Sequence, residues 1–357
     1  MHALRTRPRS LWSALVTGLV ITAASLAHAA HFAEPGAPAT TPVVGRATRV
    51  AVLNFGPPSD WQGSAGNMVG TVANAKAWTE AVPLLKKDKV DVVIVRINSG
   101  GGLALEVPRF NEVFEKDYKP NFRTVAWVES AISAAAMSPY VLEEFYFMPE
   151  GNLGACTAWS GQLNAAKGVQ LEIFLHMMEK ASALGKRDPK IMRAMQIEEP
   201  LTANIDENGD VTFFQNESGA IRLNPPEQIL TLNATDALKV KFSLGTAATK
   251  EELVKVMGLT EYEFAGLEAS KFIDQNMRGN DRAEKRFKDF YAKYAQSVSA
   301  AQGITDRDLR RREIGVARRH LAEIRAAVRI NANFALLNNL PDNWFEEQED
   351  LLKQLAK

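Results

Sequence analysis

This sequence has one cysteine, Cys156, and only five histidines among its 357 residues. A chain with a single thiol forms no internal disulfide, so its folded state depends on its hydrophobic core. A lone cysteine is most often a small buried apolar residue, and we expect this of Cys156. The scarcity of cysteine and histidine, with no HExxH or paired-ligand spacing, predicts that the protein has no metal site and no cofactor.

The sequence also lacks an excess of charge of either sign, since 42 basic residues balance 42 acidic ones. This balance gives no electrostatic footprint for nucleic acid, and we predict no nucleic-acid partner. Beyond the first thirty residues, no apolar run approaches the ~20 residues that span a bilayer. These absences favour a globular protein.

The N-terminus has the pattern of a secretory signal. Three arginines fall within the first nine residues, an apolar stretch covers residues 11–26, and the small-residue triplet AHA precedes Ala30. This pattern predicts a signal peptide over residues 1–29 and a periplasmic or secreted mature protein. Residues 30–47 are rich in alanine, proline and threonine, which predicts a flexible leader.

The first half of the remaining chain alternates between two kinds of apolar pattern. Continuous apolar runs predict buried strands over Arg49–Phe55, Val90–Ile97, Arg123–Val128 and Glu144–Met148. Helical spacing or small apolar composition predicts helices over Ala73–Lys87, Leu105–Glu115 and Ile132–Glu144. This alternation predicts an α/β fold with a parallel sheet and crossover helices, whose sites lie at the carboxyl ends of the strands.

The second half predicts mostly helices. Residues 171–193 have a helical pattern, and a polar insertion with hairpin-like flanks follows them. Asn233 is predicted to cap a helix with Asp236 at its third position. Beyond Thr249 the spacing is helical throughout, with dense charge of both signs, and we predict a helical C-terminal region over residues 261–357.

Two stretches stand where a parallel sheet would carry a site. The sequence INSGGG, Ile97–Gly102, follows the strongest predicted strand, and its glycines can present backbone N–H groups to a developing oxyanion. A tight strand-to-helix turn is the alternative reading. The small-residue sequence ESAISAAAMSPY, Glu129–Tyr140, follows the next strand.

The order of these motifs resembles the Clp-protease/crotonase-like superfamily. The nearest branch is the NfeD-like membrane-bound serine proteases, which are related to signal peptide peptidase A. The family's (D/N)-(S/T)-P-G-G turn is similar to Asn98–Gly102, its P-x-G-x-x-G-A turn to Pro149–Ala155, and its late L-T-x-x-E-A-L segment to Leu230–Leu244. The resemblance implies a crotonase/ClpP-like domain over residues 48–260.

The same resemblance implies where a nucleophile would lie. Aligning the small-residue run on the family's A-A-S-(A/M/G)-G places Ala136 at the serine position. A methyl group cannot attack a carbonyl carbon, so this register predicts the loss of the catalytic hydroxyl. The backbone N–H groups of Met137 and of Gly101 or Gly102 would still form an oxyanion hole.

The family's general base has no clear counterpart either. Clp proteases use a histidine where this chain has Cys156, and the NfeD-like branch uses a lysine on the following helix. In the NfeD-like pattern the lysine lies seven residues before a glycine, and counting back from Gly185 gives Met178 at that position. Lys180 lies two residues further on, about 200° around a helix, and therefore on the other face. A lysine base must be desolvated, so an exposed Lys180 would not serve.

Three functions therefore follow from the resemblance. The leading hypothesis is an exported, proteolytically degenerate homologue that binds a peptide or a membrane-protein segment and assembles as a homo-oligomer. The second is an active serine endopeptidase, with Ser133 or Ser138 as nucleophile and Lys180 as base. The third and weaker alternative is crotonase-type acyl-thioester chemistry, which needs two backbone N–H groups and no serine.

Overall fold

The computed structural model describes residues 46–58, 60, 61, 66, 68–160 and 164–357. The predicted signal peptide and almost all of the predicted leader lie outside the described residues. The strands are β1 Thr48–Phe55, β2 Val92–Ser99, β3 Arg123–Ile132, β4 Glu144–Gly154, β5 Trp159–Ser160, β6 Asn164–Ala165, β7 Leu201–Ile205, β8 Val211–Phe214, β9 Ile221–Asn224, β10 Thr231–Asn233 and β11 Tyr262–Phe264. The helices are α1 Ala75–Lys87, α2 Val107–Val113, α3 Ala134–Met137, α4 Val169–Leu184, α5 Pro189–Gln196, α6 Ala234–Lys239, α7 Lys250–Val256, α8 Leu267–Gly303, α9 Arg307–Ile330, α10 Asn333–Leu337 and α11 Trp344–Leu355.

A six-stranded sheet organises the molecule, in the order β10-β4-β3-β2-β1-β11. Strands β1 to β4 and β11 pair in parallel, and only the edge strand β10 runs antiparallel to its neighbour. Residues Val92–Val95 of β2 are buried on both faces, which is why this strand is a continuous apolar run. The predicted α/β fold with crossover helices and a helical C-terminal region is confirmed.

Aromatic side chains fill the core between the sheet and helices α1 and α2. The Phe55 and Phe110 rings pack edge to face at 4.8 Å between centroids, and Trp78 and Phe114 do so at 5.4 Å. The hydroxyl group of Tyr118 donates to the carbonyl of Trp78 at 2.9 Å, which satisfies this buried polar group. The opposite face of the sheet packs against helix α7.

The helix predicted over Ile132–Glu144 is much shorter than expected. Strand β3 continues to Ile132, and helix α3 has only four residues. Pro139 has no amide with which to extend the helical hydrogen-bond ladder, so the chain turns before β4. Strand β4 continues to Gly154, so most of the turn predicted at Pro149–Ala155 is part of the strand. The pairing of β4 with β3 shifts register between Val128 and Ser130.

The C-terminal half matches its predicted pattern except at one strand. The polar insertion forms the antiparallel sheet β8-β7-β9, and Asn233 caps α6 by accepting from the Asp236 amide at 2.8 Å. Strand β11 interrupts the region predicted as wholly helical. Helices α8, α9 and α10 share a core that contains Phe287, Leu321 and Phe334. Within the described residues, no helix has the length and apolar character that crossing a bilayer requires.

Candidate functional site

Ser133 is the single residue between β3 and α3, and its backbone is strained. Its φ of 55° and ψ of −128° lie outside the regions that L-residues ordinarily occupy. Such a conformation costs on the order of 1–3 kcal/mol and persists only where the surroundings enforce it. Here the Ser133 amide donates to the Gly154 carbonyl at 2.9 Å, and the Ser133 carbonyl accepts from the Ala136 and Met137 amides at 2.9 and 3.1 Å.

The Ser133 side chain lies directly against the glycine turn, which we define as residues 98–103. A Cβ atom placed on Gly101 would stand 2.7 Å from the Ser133 Cβ and 3.2 Å from its Oγ. Gly101 also has a φ of 110°, in the region that favours glycine. The glycine turn therefore approaches the serine as closely as a backbone without side chains allows, and Ser133 remains half-buried.

Several backbone amides at this junction are unpaired. Among the residues that the structure describes, the N–H groups of Gly102, Ala134 and Ala135 have no hydrogen-bond acceptor. The other two predicted donors are engaged, since the Gly101 amide donates to the Ser99 Oγ at 3.2 Å and the Met137 amide to the Ser133 carbonyl at 3.1 Å.

Of the predicted oxyanion donors, Gly102 alone has a free N–H group among the described residues, since those of Gly101 and Met137 are engaged. The Ala134 N–H group was not among the predicted donors. Ala134 immediately follows a serine at a strand-to-helix turn, a position that can present a free amide.

The other predicted hydroxyl group does not reach the site. Ser138 is fully buried, and its Oγ donates to the carbonyl of Ala134, one helical turn back, at 2.7 Å. Ala136 is also fully buried, within α3. The structure thus places Ser133 at the turn, three residues before the position that the motif alignment assigned to the nucleophile. Alanines both follow Ser133 and fill the helix.

The predicted lysine base is not held in a buried position. Met178 points into the core with 0% exposure, whereas Lys180 lies exposed on another face of α4. The structure therefore does not hold Lys180 as a buried base beside the serine. No described acidic or basic side chain hydrogen-bonds to the Ser133 Oγ. The internal residues outside the description, 59, 62–65, 67 and 161–163, include no histidine, lysine, aspartate or glutamate.

Cys156 lies beneath the turn but is not poised to react. Its side chain has 0% exposure, as predicted, and its Sγ donates to the Ser133 carbonyl at 3.7 Å. Burial raises the pKa of the Cys156 thiol well above its ordinary value, so the group stays protonated. A buried neutral thiol is neither a nucleophile nor a base at neutral pH.

We expect Cys156 in the folded protein to resist alkylation by iodoacetamide at pH 8. In denaturant the same thiol should be alkylated fully within minutes, because unfolding exposes it and restores its ordinary pKa. Intact-mass spectrometry of the two samples measures the difference. Rapid modification of the folded protein would show that the thiol is accessible and contradict its assignment as a core residue.

A separate cavity of about 320 Å³ lies against α8, lined by Asp60, Trp61, Arg278, Asp281 and Arg282. It is polar, and Arg278 both pairs with Asp60 at 2.6 Å and lies over the Trp61 ring. Ser133 and the glycine turn are not among the described residues that line it.

Comparison of the sequence with known proteins shows a match to one family. Residues 76–267 match the family model described as NfeD1b, N-terminal domain. The membrane protein NfeD1b of Bacillus subtilis (strain 168) is 30% identical over 181 residues, which are 50% of this chain and 37% of that protein. The matched part thus spans little more than a third of the length of this relative.

Solved structures give more remote matches. A mutant of the 1510-N membrane-bound stomatin-specific protease, in complex with a substrate peptide, is 14% identical with a TM-score of 0.43, over 64% of this chain and 98% of that one. A mutant ClpP1 from Listeria monocytogenes is 12% identical with a TM-score of 0.33, over 57% of this chain and 94% of that one. Because the family model covers more than half of the sequence, the chain belongs to the NfeD1b N-terminal domain family.

Proposed function

We propose that this protein is a serine hydrolase of peptide bonds in which Ser133 is the nucleophile. The observation that carries the proposal is the strained Ser133 backbone at a strand-to-helix turn, with its side chain against Gly101. Backbone strain of this kind clusters at functional sites, where the surrounding structure holds a reactive side chain in place. The backbone presents the hydroxyl group at the carboxyl edge of a parallel sheet.

The unpaired amides supply the second requirement of acyl transfer. A carbonyl group attacked by the Ser133 Oγ becomes a tetrahedral oxyanion, which the N–H groups of Gly102 and Ala134 are free to bind. The C–N bond of the peptide then breaks, the amine leaves with a proton, and the acyl group remains on the serine until water releases it. Removal of one such oxyanion donor typically slows an enzyme about 100- to 1,000-fold.

A second candidate is binding of a peptide carbonyl without efficient turnover. The buried Met178 and the exposed Lys180 favour it, because methionine occupies the position expected for a lysine base and the nearby lysine is solvated. In this case the junction holds a peptide, and the serine reacts only with strongly activated acyl or phosphonyl groups. This is the peptide-binding role expected from the sequence, reached without loss of the serine.

A fluorophosphonate probe tests whether Ser133 is a nucleophile. We expect residues 30–357 to acquire a single adduct, mapped to Ser133 by peptide mass spectrometry and absent from Ser133→Ala. The matched control is Ser138→Ala, which alters a buried serine five residues away and should leave the labelling intact. An adduct that persists in Ser133→Ala, or no adduct on the folded wild-type chain, would contradict the proposal.

A peptide library with mass-spectrometric readout separates the two candidates. Hydrolysis that disappears in Ser133→Ala supports the peptidase. Binding of peptides without hydrolysis, retained in Ser133→Ala, supports the second candidate. Lys180→Met is expected to leave either activity within about threefold of wild type, because exposed charges outside a site contribute little.

The proposal includes an exported chain that assembles with itself and acts on a peptide or a membrane-protein segment. Export is supported by the arginine-rich, apolar N-terminal pattern of residues 1–29. Self-assembly is supported by helix α4, which presents Val169 and Ile173 to solvent at 77% and 62% exposure. Light scattering of the purified chain measures the oligomeric state, and fractionation of the source cells measures the location.

A further inference from the structure

The helical C-terminal region contacts residues 68–73, a backbone segment that in turn packs against the glycine turn. Asn331, between α9 and α10, is buried at 7% exposure and donates its Nδ2 to the carbonyls of Gly70 and Thr71, both at 2.8 Å. Asn333, buried at 4%, donates to the Gly70 carbonyl at 2.8 Å. The two side chains thus fix adjacent carbonyl groups of residues 68–73, from more than 250 positions away in sequence.

Residues 68–73 in turn hold the glycine turn. The Val69 amide donates to the Gly101 carbonyl, and the Leu103 amide donates to the Val69 carbonyl, both at 2.8 Å. These two bonds bracket Gly102, whose Cα approaches so closely that an added Cβ would stand 2.2 Å from the Val69 carbonyl oxygen. The orientation of the Gly102 amide therefore depends on where Val69 lies.

A buried carboxylate reinforces the same connection. Glu106 is 2% exposed, and its Oε1 accepts from the Ala75 amide at 2.8 Å. Its Oε2 accepts from the Nδ2 of Asn333 at 3.1 Å and from Arg109 at 2.9 Å. A carboxylate at this depth needs every one of these donors, which makes the position of Asn333 costly to change.

We propose that Asn331 and Asn333 are positioning residues that aim the Gly102 amide at the Ser133 junction through residues 68–73. The C-terminal helices then determine the geometry of the oxyanion-binding group without touching the substrate. A loosening of α9 and α10 would reach the glycine turn through two hydrogen-bond steps. The effect of Asn331 and Asn333 on the backbone of the glycine turn does not depend on catalysis, whereas their effect on catalysis rests on the proposed function.

Asn331→Asp tests the inference, because it replaces the donor Nδ2 with an oxygen that faces two carbonyl oxygens. We expect amide hydrogen exchange at Val69 and Leu103 to become about tenfold faster or more, while helices α8 and α9 stay protected. Fluorophosphonate labelling of Ser133 should slow by about tenfold, as expected for a misaimed oxyanion donor. Should Asn331→Asp fail to fold, Asn331→Ala removes the donor without adding charge and takes its place.

Asn338→Asp is the matched control, since the Nδ2 of Asn338 donates only to the Phe334 carbonyl and does not contact residues 68–73. It should change neither exchange nor labelling. Unchanged exchange at Val69 and Leu103 in the Asn331 variants would overturn the inference, as would a loss of protection spread evenly over α8 and α9. Absence of labelling in wild type, with faster local exchange in Asn331→Asp, would reject the proposed function but keep the structural coupling.

Discussion

Gly102→Ala is expected to abolish labelling of Ser133 and to lower the free energy of unfolding by about 2–4 kcal/mol, from backbone strain combined with steric overlap. Gly102 has a φ of 146°, which disfavours any residue with a Cβ. The added methyl would also meet the Val69 carbonyl oxygen at 2.2 Å and the Val69 nitrogen at 2.7 Å. Both are backbone atoms, so the overlap can be relieved only by moving the glycine turn. Urea unfolding and the rate of probe labelling measure the two effects.

Gly279→Ala provides the same chemical change without the overlap. Gly279 lies within α8, and a Cβ there would have no heavy atom within 4 Å. Because alanine favours a helix interior over glycine, this variant should gain about 0.5–1 kcal/mol. A Gly102→Ala protein with wild-type stability and labelling would show that neither the conformation nor the amide of Gly102 matters.

Arg187→Met is expected to cost about 3 kcal/mol or more, since each buried carbonyl left without its donor costs about 1–3 kcal/mol. The guanidinium group of Arg187 donates to the carbonyls of Tyr140, Leu142, Glu143 and Gly185 at 2.5 to 3.1 Å. It also lies over the Phe145 ring, 4.4 Å from its centroid. Burial lowers the pKa of Arg187 to about 10, so the group is charged at neutral pH.

The connection between α4 and α5 is thereby fixed to the segment that follows α3, and Arg187→Met should loosen both. Thermal and urea unfolding give the cost. Arg193→Met is the matched control, because Arg193 forms a half-exposed bidentate pair with Glu199 and should cost no more than about 1 kcal/mol. Equal costs for the two variants would contradict the special role of Arg187.

The sequence alone determined the architecture. The β-branched run of β2 and the alternation of strands with helices predict a parallel sheet, because burial on both faces requires apolar residues at successive positions. The cap at Asn233 and the long charged helices were also readable, since capping and helical periodicity depend on residues close together in the chain. The motif order likewise identified the NfeD-like family, to which the chain belongs.

The tertiary structure decided which serine stands at the strained turn between β3 and α3. The run ESAISAAAMSPY contains three serines among small residues, and its composition does not show where β3 ends and α3 begins. That boundary is set by the hydrogen bond from the Ser133 amide to Gly154 and by the close approach of Gly101, both of which are contacts between distant segments. The link from Asn331 to Gly70 was equally invisible in sequence, because buried polar groups find their partners through the packing of the whole chain rather than through local spacing.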